Sequence, residues 1–249
     1  MNNQECIIII PCYNVGGYLA ECLCSVKSQS YPHWKAIIVN DGSTDDCAHI
    51  AQAFVEADSR FVLLTHKRNR GQSAARNTAL NYYFDELQAK HNNPENEGWI
   101  TFLDADDYID SDYLSCLLTI PRKKADVIQS GYRRVQNDGL VIEAKHPRQF
   151  YRFVSPCMRL YRSGLLRELR FPEGMIYEDV IFSLNLWALH PSYEIIPYIG
   201  YNYRLNPTST TATPNTIAEH VLYPAIRRTS APFWLKLYTV IRLRFHFHK

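Results

Sequence analysis

Short apolar segments alternate with polar turns and amphipathic segments through the first half of the chain. An apolar run that ends in a turn is typical of a strand buried on both faces, whereas apolar residues at helical spacing are typical of a helix packed on a sheet. The predicted strands are Glu5–Ile10, Lys35–Asn40, Phe61–Thr65 and Trp99–Leu103, and the predicted helices are Val15–Ser28, a segment ending near Ala57, and Gly71–Phe84. Such repeated units predict an α/β fold with a Rossmann-like, mainly parallel sheet flanked by helices.

The alternation fades beyond about Asp110, although Ala125–Ser130 is typical of a strand and Asp179–His190 of a helix. The polar stretch Asp85–Gly98 is longer than a minimal strand–helix unit needs, so we expect a surface excursion there. We therefore predict a core over residues 1–115, a smaller region over 116–216, and a C-terminal tail over 217–249.

Composition excludes several classes of protein. The chain has 249 residues, of which 46% are hydrophobic, so it can bury a substantial core. Its net charge of +2 argues against a protein that binds nucleic acid through overall positive charge. We find no secretory signal and no apolar run of about 18 residues, the length a membrane span needs. The seven cysteines lack zinc-site spacing and are expected to be reduced thiols in a cytoplasmic protein.

Polar clusters directly follow three of the predicted strands. Asn14 follows the first strand, Asp41 the second, and Asp104-Ala105-Asp106-Asp107 the fourth. Because ligands bind at the carboxyl ends of parallel strands, we expect these clusters to meet at one edge of the sheet. Taken alone, Asp41-Gly42-Ser43 also fits an ordinary capped turn.

The acidic cluster points to a divalent cation. Three carboxylates within four residues repel one another unless a positive charge lies among them. Mg²⁺ or Mn²⁺ with one or two carboxylates and the phosphates of a substrate would meet that need, and no EF-hand loop supports Ca²⁺. The alternative is a helix N-terminus that carries aspartates favoured by the helix dipole.

Taken together, the motifs resemble those of family 2 glycosyltransferases with the GT-A fold, of the kind that builds bacterial surface polysaccharides. The resemblance covers about residues 5–211 and keeps the family's order. Its segments are Ile7–Asn14 (IIIIPCYN), Val39–Asp46 (VNDGSTDD), Asn69–Asn77 (NRGQSAARN), Phe102–Asp107 (FLDADD), Arg159–Arg162 (RLYR), Phe171–Gly174 with Tyr177–Asp179 (FPEG and YED), and Tyr203-Arg204 with Thr208–Thr210.

The resemblance implies a role for each matching position on the donor side. Pro11, Tyr13 and Asn14 would line the nucleotide pocket, Asp41 would hydrogen-bond a uracil ring, and Arg76 would lie near the base and diphosphate. Asp104 would contact the ribose, and Asp106 would bind Mn²⁺ or Mg²⁺ between the phosphates, whereas Asp107 also fits a cap. The segment Tyr203–Thr211 resembles a flexible loop that closes over the diphosphate, which makes Arg204 and Ser209 candidate phosphate contacts. An ordinary polar linker is the alternative for this loop.

On the acceptor side the resemblance implies that Asp179 is the general base and Glu178 an orienting or acceptor-binding partner. One base acting through the acceptor hydroxyl gives inversion at the anomeric carbon. From the residues alone, two acids before an apolar segment also fit a helix start. The implied reaction moves a sugar from a nucleotide-sugar donor, with UDP-sugar expected, to a glycan or lipid-linked saccharide, and the region 116–216 would face that acceptor.

The tail carries a charge opposite to that of the body. Residues 217–249 hold six basic residues against Glu219, a charge of +5, which leaves −3 on residues 1–216. Trp234, Leu237, Tyr238, Ile241 and Phe245 follow helical spacing, which fits a helix at an anionic membrane surface and peripheral attachment to the inner face of the cytoplasmic membrane. Apolar and polar residues also alternate along residues 241–248, as they would in a strand. The alternative to membrane binding is that the tail packs on its own domain or on a second subunit in a homodimer.

Two other functions are compatible with these residues. A sugar nucleotidyltransferase also uses a parallel sheet and acidic metal ligands, but the chain has no Gly-rich basic loop after its first strand. A non-catalytic module that binds nucleotide sugars is the second alternative.

Overall fold

The computed structural model describes residues 4–88, 98–119, 125–146, 154–206, 217–233, 235–236 and 239–240. The strands are β1 (Cys6–Cys12), β2 (Trp34–Asn40), β3 (Phe61–Thr65), β4 (Trp99–Phe102), β5 (Tyr108–Ile109), β6 (Val127–Val135), β7 (Val141–Lys145), β8 (Arg159–Arg162) and β9 (Tyr193–Arg204). The α-helices are α1 (Gly16–Lys27), α2 (Cys47–Ala57), α3 (Gln72–Tyr82), α4 (Tyr113–Thr119), α5 (Glu178–Ala188) and α6 (Ile217–Arg228). A π-helical turn follows α3 at Tyr83–Gln88, and a 3₁₀ turn spans Ser163–Leu166.

All nine strands of the described residues lie in one sheet, in the order β3-β2-β1-β4-β8-β6-β9-β5, with β7 paired to β6. The four strands β3, β2, β1 and β4 are parallel, and β8 joins them antiparallel to β4. Ile7–Ile10 and Ile37–Val39 are fully buried, which explains why these strands are apolar without alternation. The predicted α/β fold is therefore confirmed, and the first-half strands and helices match the prediction closely.

The second half contains strands that the sequence pattern does not predict. The strand predicted at Ala125–Ser130 begins at Val127 and continues to Val135, and the helix predicted at Asp179–His190 is α5. The expectation that Tyr203 and Arg204 begin a flexible loop is wrong, because both residues end β9 and pair with Arg134 and Val135 of β6. Residues 207–211 of that loop, including Ser209, lie outside the described residues, as do residues 89–97 of the polar excursion.

The sheet is continuous across the predicted boundary at residue 115. β4 pairs with β8, β5 pairs with β9, and one hydrophobic cluster includes Ile7, Leu160 and Leu222. The division into donor-side and acceptor-side regions thus remains a prediction about function, since the two regions share one core.

The described part of the tail packs on the body of the protein. Leu222 and Ile226 of α6 are fully buried, and α6 contacts α5. Trp234, Leu237, Tyr238, Ile241 and Phe245, which form the predicted membrane face, lie outside the residues whose side chains are described. Within the described ranges, no helix combines the length and apolar character that a membrane crossing requires.

Candidate active site

The loops after β1 and β2 are joined at the carboxyl edge of the sheet. The backbone N–H of Asn14 donates to Ser43 Oγ at 3.2 Å, and Asn14 Oδ1 accepts the N–H of Thr44 at 2.9 Å. Asn14 adopts φ 51°, a left-handed conformation that asparagine tolerates better than most residues. Pro11 is buried in β1, whereas Tyr13 is 42% exposed beside this junction. Tyr13 and Asn14 therefore border the open end of the sheet.

Asp41, at the end of β2, is buried and holds the loop that precedes α3. Its Oδ1 accepts the backbone N–H of Arg70 at 2.9 Å, and its Oδ2 accepts that of Gly71 at 2.7 Å. His66 Nδ1 lies 2.6 Å from the same Oδ1. The carboxylate thus fixes the approach to the helix that carries Arg76.

Arg76 is the central cation of the edge. Its Nη2 donates to Asp104 Oδ1 at 2.7 Å, and its Nη1 donates to Glu178 Oε1 at 3.0 Å. The guanidinium is nearly fully buried and lies over the ring of Phe171. The charges of Asp104 and Glu178 raise the pKa of Arg76 against the opposing effect of burial. Arg76 therefore joins the end of β4 to the start of α5.

The carboxylates of the acidic segment after β4 differ in exposure and in their hydrogen-bond partners. Asp104 is about one-third exposed, and Asp106 Oδ2 accepts a hydrogen bond from Asn206 at 3.0 Å. Burial, followed by the charge of Asp104, raises the pKa of Asp106. A cation bound between two neighbouring carboxylates reduces the repulsion between them.

Asp107 faces inward and contacts β9. Its Oδ2 accepts the hydroxyl of Tyr201 at 2.6 Å, and its Oδ1 accepts the backbone N–H of Arg204 at 2.8 Å. Burial, followed by the charge of Asp106, raises its pKa well above the usual range. Asp107 thus ties the acidic segment to the last strand of the sheet and does not cap a helix with its side chain.

Arg204, at the end of β9, is also buried against the acidic segment. Its Nε donates to the carbonyl oxygen of Asp106 at 2.9 Å, and its Nη2 lies 2.5 Å from Glu21 Oε2. The guanidinium carbon lies 5.2 Å from the ring centres of both Tyr18 and Tyr108. Arg204 therefore places a positive charge beside Asp106.

Glu178 and Asp179 begin α5, and Glu178 is the second carboxylate that Arg76 contacts. Glu178 is buried, whereas Asp179 is partly buried and accepts the N–H of Val180 at 2.9 Å through Oδ1. Burial, followed by the charge of Glu178, raises the pKa of Asp179 to about 7. A carboxyl group with this pKa can exchange a proton near neutral pH, as a general base must.

The segment before α5 is fixed by Asn77 of α3. The Asn77 side chain donates to the carbonyl oxygen of Phe171 at 2.9 Å and accepts the Phe171 N–H at 2.9 Å. It also donates to Glu173 Oε1 at 3.0 Å, and Glu173 Oε2 lies 3.4 Å from Arg70 Nη2. α3 thus anchors the acidic start of α5 through both Asn77 and Arg76.

Arg76 contacts two of the predicted carboxylates, Asp104 and Glu178. Asp106 lies near Asp104 and Arg204, and Asp179 is next to Glu178. Sequence reasoning missed His66, Asn77, Glu21, Tyr201 and Asn206. Asn77 is the last residue of the segment Asn69–Asn77, so the sequence could have identified it as a site residue. Tyr201 and Asn206 reach the site only because of the position and register of β9. Ser209 lies outside the described residues.

The residues present fit a divalent cation that shares its ligands with a substrate. Among the residues that the structure describes, no cluster of three His, Cys, Asp or Glu side chains could hold a metal ion by itself. Mg²⁺ and Mn²⁺ at phosphate sites typically take only one or two carboxylates and complete their shell with phosphate oxygens and water. Asp106, with Asp104 two residues before it, would provide one or two carboxylates of this kind.

Sequence relatives of the chain are bacterial glycosyltransferases. GlyA of Streptococcus pneumoniae is 30% identical over 83% of this chain and 31% of its own length. EpsH of Bacillus subtilis, a putative glycosyltransferase, is 30% identical over 84% of this chain and 63% of its own length. The chain thus spans about a third of one curated relative and less than two thirds of the other.

Solved structures share the fold. S. aureus TarS 1-349 in complex with UDP-GlcNAc superposes with a TM-score of 0.71 at 20% identity, over 94% of this chain and 69% of that one. The mannosyltransferase PcManGT from Pyrobaculum calidifontis, in complex with GDP-Man and Mn²⁺, gives a TM-score of 0.64 at 20% identity, over 91% of this chain and 65% of that one. The architecture is therefore the GT-A fold.

The family match covers the parallel strands and the central arginine of the site, and it ends before α5 and β9. The sequence model for glycosyl transferase family 2 matches residues 7–170, which include β1, α3 with Arg76, and the acidic segment after β4. This match extends over more than half of the chain. The chain therefore belongs to glycosyl transferase family 2.

Proposed function

We propose that the protein is an inverting glycosyltransferase that moves one sugar from a UDP-sugar to a hydroxyl of a glycan or lipid-linked saccharide. The observation that carries this proposal is the bridge made by Arg76 between Asp104, after β4, and Glu178, at the start of α5. The bridge joins a carboxylate suited to a donor, Asp104, to one of two adjacent acids suited to an acceptor, Glu178, through one buried cation.

The donor occupies the edge formed by β1, β2 and β4. Tyr13 and Asn14, with Pro11 behind them, line the nucleotide pocket, Asp41 accepts a hydrogen bond from the nucleobase, and Asp104 binds the ribose. Arg204 and Ser209 are the phosphate contacts, and Arg204 would exchange its pairing with Glu21 for a phosphate oxygen. The complexes of structurally similar proteins with UDP-GlcNAc and GDP-Man support a nucleotide-sugar donor.

Asp106 would hold Mn²⁺ or Mg²⁺ in this proposal. When bound, such an ion neutralises the charge that develops on the leaving nucleoside diphosphate. Arg76 and Arg204 add fixed positive charge from the protein, which needs no reorganisation during the reaction. The Mn²⁺ in the complex of PcManGT supports a metal-assisted reaction.

Asp179 accepts the proton of the acceptor hydroxyl as that oxygen attacks the anomeric carbon. The C–O bond to the acceptor forms on the face opposite the departing phosphate, so the anomeric configuration inverts. Glu178, held by Arg76, orients the acceptor or the base. The pKa of Asp179, about 7, suits this proton transfer.

The acceptor is proposed to be a growing surface glycan on a lipid carrier, which places the enzyme at the inner face of the cytoplasmic membrane. The name of one Bacillus subtilis relative, a putative teichuronic acid biosynthesis glycosyltransferase, supports a role in the synthesis of such a glycan. Basic residues of the tail would then contact anionic lipid headgroups.

A donor screen tests the proposal without knowledge of the acceptor. Each nucleotide sugar is incubated with the protein and Mn²⁺, and slow hydrolysis to the nucleoside diphosphate is measured. Hydrolysis of a UDP-sugar is the expected result. Release of pyrophosphate from a nucleoside triphosphate and a sugar phosphate would instead identify a nucleotidyltransferase, and binding without turnover across donors and acceptors would identify a non-catalytic module.

A further inference from the structure

His66 and Asp41 form a buried pair whose geometry bears on nucleobase choice. His66 Nδ1 lies 2.6 Å from Asp41 Oδ1, and His66 Nε2 lies 2.9 Å from Thr78 Oγ1. The side chains of His66 and Asp41 are only 7% and 3% exposed. The imidazole therefore has a partner on each ring nitrogen and is fixed in orientation.

The hydrogen bonds around Asp41 leave its two oxygens unequal. Oδ1 receives His66 Nδ1 and the N–H of Arg70, whereas Oδ2 receives the N–H of Gly71. Each carboxylate oxygen offers about two acceptor positions. Oδ1 is consequently saturated, and Oδ2 retains one position for a further donor.

The proton of the pair lies on His66 Nδ1, because an ionised carboxylate can only accept. In the neutral ring Nε2 then accepts the hydroxyl of Thr78, which lies on α3 two residues after Arg76. The loop that Asp41 holds also packs closely, since a Cβ on Gly42 would lie 2.6 Å from the carbonyl carbon of Arg68. His66 thus joins the ends of β2 and β3 to α3.

We propose that His66 is a positioning residue that makes Asp41 selective for a nucleobase with an imino N–H. This inference rests on the proposed function, in which Asp41 contacts the base. By saturating Oδ1, His66 presents only Oδ2, which accepts the N3–H of uracil and repels the unprotonated N3 of cytosine. Without His66, Oδ1 keeps only the N–H of Arg70 and regains an acceptor position, so Oδ2 is no longer the only oxygen that can receive a nucleobase.

Two substitutions of His66 separate its contacts. Asparagine places its amide nitrogen near the position of imidazole Nδ1, and glutamine places its amide nitrogen near that of Nε2. His66→Asn therefore retains the donor to Asp41, whereas His66→Gln retains only the contact to Thr78. Isothermal titration of the full chain with UDP and with CDP, both in Mn²⁺, measures the selectivity of each variant.

We expect His66→Gln to raise the Kd for UDP about tenfold, the effect of one charge-assisted hydrogen bond, with little change for CDP. His66→Asn should keep the Kd for UDP within about threefold of the unmodified protein. Equal losses of UDP and CDP binding in both variants, or no change in either, would overturn the proposal. If the unmodified protein binds no nucleotide, the proposed function itself fails.

A measurement on the unmodified protein covers the case in which His66→Gln does not fold. The ¹⁵N chemical shifts of the His66 ring report the Nδ1–H tautomer and the strength of its hydrogen bond. Addition of UDP should shift the Nδ1 resonance, whereas CDP at the same saturation should shift it less. An Nε2–H tautomer, or identical responses to the two nucleotides, would contradict the proposal.

Discussion

Arg76 and Glu178 form a buried ion pair, with 3.0 Å between Nη1 and Oε1, although 102 positions separate them in the chain. The same guanidinium contacts Asp104, so a displacement of the acidic segment after β4 would disturb the start of α5, and the reverse also holds. This coupling makes Arg76 the first residue to test.

Replacement of Arg76 by lysine should impair both folding and transfer. Arg76 contacts Asp104 and Glu178 through two different nitrogens of its planar guanidinium, and the single nitrogen of lysine cannot reproduce both contacts at these positions, so the buried Glu178 or its partner Asp104 loses its cation. We expect the free energy of unfolding to fall by about 3 kcal/mol and donor hydrolysis to fall at least about 100-fold. Urea denaturation and the hydrolysis assay measure these effects.

Arg70→Lys is the matched control for that substitution. Arg70 pairs with Glu173 at 3.4 Å, and both side chains are nearly half exposed. An exposed pair of this kind contributes less than about 1 kcal/mol. Equal destabilisation by Arg70→Lys and Arg76→Lys would contradict the central role of Arg76.

Asp179→Asn should abolish transfer while nucleotide binding persists. The amide cannot accept the acceptor proton, and general-base catalysis contributes about 10²- to 10⁴-fold. In the unmodified enzyme kcat/KM should fall tenfold per pH unit below about pH 7, where Asp179 becomes protonated. Full transfer activity in Asp179→Asn would remove this residue as the base.

The same carboxyl group should make folding stability depend on pH. The pKa of Asp179 is raised from 3.8 to about 7 in the folded protein, so the unfolded chain ionises first as the pH rises. Asp179 therefore destabilises the fold progressively between about pH 4 and 7, and acidification through this range relieves that effect. Urea midpoints of the unmodified protein and Asp179→Asn should diverge as the pH rises through this window, and a constant difference would be inconsistent with the raised pKa.

Asp106→Asn tests the metal. Loss of one carboxylate charge should reduce the Mn²⁺-dependent part of UDP affinity at least about tenfold, because the ion keeps fewer anionic ligands. Titration of UDP with and without Mn²⁺ measures this part directly. Asp138→Asn, in the turn between β6 and β7, is the control and should leave UDP affinity unchanged. If Mn²⁺ enhances UDP binding equally in both variants, Asp106 is not the ligand.

Tyr201→Phe should destabilise the protein. Tyr201 is buried, and its hydroxyl donates to Asp107 Oδ2 at 2.6 Å. Removal of the hydroxyl leaves a buried oxygen of Asp107 without that donor, which costs about 1–3 kcal/mol. Thermal unfolding of the variant and of the unmodified protein measures the loss, and an unchanged midpoint would contradict a stabilising role for this contact.

Local sequence patterns predicted β1, β2 and β3 because strands buried on both faces must be apolar throughout, as Ile7–Ile10 are. The same patterns missed β9, which contains Pro197 and Gly200. Its pairing with β6 shifts register between Ile195 and Ile199, around that proline, so no regular alternation marks it.

Some residues of the candidate site could be predicted from local sequence, and others could not. The acidic side chains were predictable because they lie in short motifs at strand and helix ends. The contacts of Tyr201 and His66 depend on partners 94 and 25 residues away, which a local pattern cannot encode. The burial of Arg204 was also unpredictable, since it follows from the place of β9 between β6 and β5.

The strand order also has a consequence for the course of folding. β5 directly follows the acidic segment, yet its sheet neighbour β9 is synthesised after most of the chain has left the ribosome. The first four parallel strands can associate early, but the acidic segment cannot receive Tyr201 and Arg204 until β9 emerges. A nascent chain can therefore pair its parallel strands before it can acquire the geometry of the candidate active site.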